Sequence, residues 1–140
     1  MSWWAYALFA ALAASATAIL AKLGVAGVPS NLALAVRTSC ALAFAWAVAL
    51  GAGELRAVRE VSARSWLFLT LSGLATGLSW LAYFRALQLA PASRVAPLDK
   101  LSLPLTIALA VLVLGEKLSW RLAAGAALMV AGALLTLGDR

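Results

Sequence analysis

Three ionisable side chains fall inside long apolar stretches, and their types decide what chemistry they can do. Asp99 and Lys100 stand side by side in a run that is otherwise apolar, and Arg37 lies inside another. A carboxylate beside an ammonium, with a guanidinium at similar depth, can compensate charge, hold a charged solute or carry a proton on the carboxylate. Charges inside apolar spans are expensive, and they are kept where a polar pathway or a partner on a neighbouring helix meets them. The rest of the inventory argues against a reaction centre. The chain has no histidine and one cysteine, Cys40, which excludes an imidazole base, a histidine metal site and an internal disulfide. It has no glycine-rich phosphate loop, no metal-ligand cluster and no nucleophile beside a base. The expectation is therefore no enzyme, no cofactor and no metal.

Other polar residues extend this set. Asp99, Ser102 and Thr106 recur at helical spacing and form one polar stripe. Pro104 lies within it, removes a backbone donor and predicts a kink. The stripe reads either as the wall of a substrate path or as a static bend. Asp99 is expected to pair with Arg37, while Lys100, about 100° further round a helix, needs another partner or water. On an earlier span Gly73, Thr76, Gly77, Trp80, Tyr83 and Phe84 share a face. Gly73 and Gly77 suit close helix packing, whereas Thr76, Trp80 and Tyr83 could instead line a cavity. Gly125 and Gly132 make a smooth face for packing or dimerisation. Lys22 and Arg85 either snorkel to the lipid surface or join the polar level.

The elements that must position these residues follow from composition. Of the 140 residues 65% are hydrophobic and 11% charged, less than half the roughly 25% charge of a soluble domain. A spanning helix needs about 20 apolar residues, and five stretches qualify: 3–21, 31–50, 65–87, 93–114 and 120–137. The fold class is an all-α membrane protein in one domain, 1–140. The link from Gly51 to Arg64 is polar and reads as a short surface helix or loop. Glu116 and Ser119 read as turn and N-cap for the last span. The first span is expected to be retained rather than cleaved, since no Lys or Arg precedes it. The net charge of +6 is spread over loops, so no nucleic-acid partner is expected.

With five spans the termini face opposite sides. The N-terminal side carries Arg56, Arg59, Arg64, Lys117 and Arg121, and the other carries Lys22, Arg85, Arg94 and Arg140. Loop Lys and Arg normally fix orientation, and five against four hardly does. The larger count places the N-terminal side in the cytoplasm, and the near-balance leaves insertion both ways open. Trp3, Trp4, Trp46, Trp66 and Trp120 fall near that N-terminal side as an interfacial belt, and Trp80 alone lies well inside a span.

The run from Leu87 to Leu135 resembles the end of an EamA-type unit of the drug/metabolite transporter superfamily. The marks are Ala92-Ser93 before the fourth span, Pro104, the Leu114-Gly115-Glu116 turn, Ser119, Gly125 and Gly132, with looser agreement at Lys22, Pro29 and Arg37. The resemblance implies a five-helix half of a ten-helix, inverted-repeat transporter that exports metabolites or drugs. It does not extend to the small multidrug-resistance branch, because the first span has Ser15 and Thr17 but no carboxylate. A homodimer, antiparallel or parallel, in the plasma (inner) membrane is then expected to work by alternating access, with lipid and a small-molecule substrate as its other partners. Arg37, Asp99, Lys100, Ser102, Thr106, Thr76, Trp80 and Tyr83 are its candidate pathway or gate. The alternatives are a non-transporting subunit that packs on a larger membrane protein and a flippase for lipid-linked substrates.

Overall fold

A computed structural model describes residues 2–138, so Arg140 lies outside the described residues. Six α-helices follow one another: α1 (Trp3–Gly24), α2 (Ser30–Gly51), α3 (Ala63–Leu89), α4 (Ala92–Asp99), α5 (Ser102–Leu114) and α6 (Trp120–Leu135). A 3-10 stretch, Glu54–Glu60, joins α2 to α3. No strand occurs among the described residues. Four helical stretches are long and apolar enough to cross a membrane: α1, α2, α3 and the combined stretch Ala92–Leu114. The fifth expected span, 120–137, contains the 16-residue α6. At about 1.5 Å per residue, α6 is roughly 24 Å long, short of the roughly 30 Å hydrocarbon thickness.

The fourth span is continuous in composition but not in backbone. Two prolines seven positions apart, Pro97 and Pro104, bracket the break between α4 and α5. A proline ring clashes with the carbonyl four residues earlier and offers it no N–H. For Pro104 that carbonyl belongs to Lys100, which instead accepts from the Leu103 N–H at 3.0 Å in a tighter turn. The Leu101 N–H likewise donates to the Leu98 carbonyl at 3.1 Å. The break therefore sits at Lys100–Leu101, one turn before the proline expected to make it.

Helix ends are sealed locally. Gly115 has φ +70°, a left-handed conformation that glycine adopts without a Cβ clash. This lets the Glu116 N–H reach back to the Ala110 carbonyl at 3.2 Å and close the end of α5. The Ser119 Oγ accepts from the Leu122 N–H at 3.2 Å and caps α6, as its sequence position predicts. Replacing Ser119 with Ala is expected to cost about 1 kcal/mol, read as a lower midpoint in thermal unfolding of the detergent-purified protein.

The chain divides into two compact units, Ala21–Gln88 and the remainder, residues up to Leu20 with those from Leu89 onward. In the first unit Ala21, Val25, Leu34, Phe84 and Leu87 are buried, and Leu87 is fully enclosed. In the second, α6 packs on α4 and α5, and Val95 on α4 and Ala133 on α6 are buried. At most 6% of the most apolar stretch of any of the four long segments is covered. The uncovered surface is lipid-compatible, as in Leu112 at 80% exposure and Val113 at 74%. Trp3, Trp4, Trp46, Trp66 and Trp120 are all exposed, whereas Trp80 is half-buried.

Candidate functional site

Arg37 is the centre of the polar arrangement in the unit Ala21–Gln88. It stands seven residues into α2, about 10 Å from that end of the helix. Its guanidinium carbon lies over the Trp80 ring, 4.0 Å from the centroid, and 5.7 Å from the centroid of Phe84. Trp80 is nine residues from the end of α3, whereas Phe84 is five. The closer contact is therefore with the deeper ring, and Arg37 does not extend its length toward the nearer helix end, as a snorkelling side chain would. Its Nη1 is shielded and has no hydrogen-bond partner among the described residues.

Below Arg37 the unit is knitted shut by side chains that reach backbone carbonyls. The Lys22 ammonium donates to the Leu87 carbonyl, supplying a cation to the C-terminal turn of α3, where carbonyls lack helical partners. The Gln88 Nε2 donates to the Val28 carbonyl at 2.7 Å, and the Arg85 Nη1 donates to the Gln88 Oε1 at 3.1 Å. Lys22 and Gln88 thus tie distant segments together at this end of the unit, and Arg85 braces Gln88 along α3. Gln88 was missed in the sequence reading, because a neutral amide in an apolar run carries no charge signal. Its position just before the Ala90-Pro91 helix end was the available clue.

In the other unit, Lys100 Nζ lies 3.4 Å from the Asp99 Oδ2. Lys100 was expected to need a partner other than Asp99; its backbone stays helical at φ −71° and ψ −5°, and its long side chain nonetheless reaches back to the neighbouring carboxylate. The side chains are 56% exposed for Lys100 and 33% for Asp99. Within its own unit Asp99 pairs with Lys100, and within its own unit Arg37 stands against the rings of Trp80 and Phe84.

The hydroxyl groups are committed to their own helices. Thr106 Oγ1 donates to the Ser102 carbonyl at 2.8 Å, and Thr76 Oγ1 to the Ser72 carbonyl at 2.9 Å. Their lone pairs, not their protons, remain for a solute. Tyr83 is half-buried on α3. A Cβ added at Gly73, Gly77, Gly125 or Gly132 would meet nothing within 4 Å among the described residues.

Over residues 1–138 the sequence matches the EamA-like transporter family. The chain belongs to that family. An EamA chain with these apolar helices is a multi-pass membrane protein, and its family points to transport rather than catalysis. The EamA chain is also similar to a Sinorhizobium sp. protein described as an uncharacterized transporter in the cobO 3' region, with 50% identity over 134 residues, covering 96% of this chain and 95% of the relative. No solved structure matches it.

Proposed function

We propose that the chain is one half of a homodimeric exporter of small metabolites or drugs in the plasma membrane. Five spans, with α6 extended by its flanking residues as the fifth, form one EamA unit over 1–140. Two copies in opposite orientation supply the ten helices of an inverted-repeat transporter, which binds solute near the midplane between its halves. The observation that carries this reading is Arg37, turned inward onto Trp80 at 4.0 Å rather than outward to the lipid surface. A subunit that merely packs on other helices has no use for it. The relative named a transporter is matched over 95% of its length, which leaves that protein no room for a second unit of this size. Arg37 and, separately, Asp99 with Lys100 are the gating charges. Alternating access follows from one copy's charges being closed while the other's are open.

Tags at both termini test the arrangement in the cells where flux is measured. Antiparallel copies predict that each terminus is labelled from both faces in similar amounts. Labelling of each terminus from one face only would show parallel insertion and remove the inverted dimer. Proteoliposomes holding this chain alone should move solute, and an inert result there would favour the packing-subunit reading.

A further inference from the structure

We propose that Arg37 is the receptor for a carboxylate and that the transported solute is a monocarboxylate with an apolar or aromatic body. The inference rests on the transporter reading and adds the class of solute. It begins with what the Trp80 contact leaves unused. A ring face attracts the guanidinium as a cation, but it is not an oxygen acceptor for the guanidinium's N–H groups. Shielded Nη1 donates to nothing among the described residues. An unpartnered charged donor out of water is costly, and an oxyanion that accepts two parallel N–H bonds removes that cost most completely.

The surrounding charge fits an anion. At this end of the unit stand Lys22, Arg37 and Arg85, and its acidic residues, Glu54 and Glu60, lie in the link at the far ends of α2 and α3. Lys22 donates to the Leu87 carbonyl and Arg85 to Gln88. Lys22 is thus engaged across helices and Arg85 along its own helix, and beside the Arg37 guanidinium stand ring faces. One uncommitted cation matches one negative charge, which favours a monocarboxylate over a dianion. Trp80 and Phe84 beside it offer aromatic surface to the remainder of the molecule, which favours an apolar body.

Matched pairs of acids and amides test this on the full-length purified protein. Phenylacetate, benzoate and hexanoate are compared with phenylacetamide, benzamide and hexanamide, and with inorganic phosphate, by ligand-induced shift of the thermal midpoint and by intrinsic tryptophan fluorescence. The acids should bind, and the amides and phosphate should bind at least about tenfold more weakly. Arg37→Gln should weaken acid binding about tenfold or more, and Arg37→Lys, which keeps charge without the fork, by an intermediate factor. If Arg37→Gln does not purify as a single species, Arg37→Lys alone carries the comparison. Equal binding of acids and amides, no binding of any acid, or unchanged acid binding in both variants overturns the proposal. Flux in proteoliposomes separates the two levels. Acid binding without flux would remove the transporter reading and keep the receptor, whereas flux of the amides alone would keep the transporter and remove the receptor.

Discussion

Asp99→Asn is expected to stop solute movement while leaving insertion and folding intact. The Asp99–Lys100 pair is a third or more exposed on both sides. An ion pair of that exposure contributes about 1 kcal/mol or less to stability, so its loss should scarcely move the thermal midpoint. The functional consequence is larger because the carboxylate is the only one inside the apolar spans and lies at the break between α4 and α5. Flux in proteoliposomes should fall about tenfold or more, on the reasoning that charges kept within spans mark solute or proton pathways. The double variant Asp99→Asn with Lys100→Gln sharpens the test as a double-mutant cycle. If the carboxylate itself carries the work, flux stays lost in the double variant. Recovery would mean that Asp99 served only to neutralise Lys100, and full flux in the single variant would end the gating role.

Phe84→Ala is expected to be the most destabilising single change in the unit Ala21–Gln88. Phe84 is 3% exposed, and the neighbouring Leu87 is fully enclosed. In water-soluble cores this substitution costs roughly 3–5 kcal/mol, part from transfer and part from the cavity. Lipid tails are as apolar as the ring, so the transfer part largely cancels in a membrane and packing dominates. The expected loss is then roughly 2 kcal/mol, seen as a lower unfolding midpoint in detergent. Phe84→Leu should recover most of it. Leu74, at 63% exposure on the same helix, supplies the control: Leu74→Ala should leave the midpoint nearly unchanged.

The spans were legible because one physical requirement, about 20 apolar residues to cross the hydrocarbon, writes itself directly into composition. Trp80 was marked out in the same way, as the one tryptophan away from the helix ends. The Ser119 cap was legible because a hydroxyl before an apolar run has one common local use. What failed to show was anything that depended on the exact course of the backbone. Pro104 predicts a kink or a freed carbonyl, and the carbonyl a proline frees is the one four residues before it, here that of Lys100, which is taken up by a tighter turn. The helical wheel places the Cβ atoms of Asp99 and Lys100 but not the end of a four-carbon side chain, and the Lys100 ammonium reaches the carboxylate beside it. Depth matching points Arg37 at Asp99, the one carboxylate within the apolar spans, and is silent on aromatic partners. An indole face is also a partner for a cation, and no spacing rule on α2 announces a ring on α3.

The two-piece fourth span has a consequence for the lipid around it. α4 has 8 residues and α5 has 13, rods of about 12 Å and 20 Å. Neither reaches across the hydrocarbon alone, and together they do. A straight helix meets a thinner or thicker bilayer by tilting as a whole. At Lys100–Leu101 the i→i−4 ladder gives way to i→i−3 bonds, so bending there is a second response open to this span, and bilayer thickness is expected to register beside Asp99, which flux measured in lipids of different chain length would check.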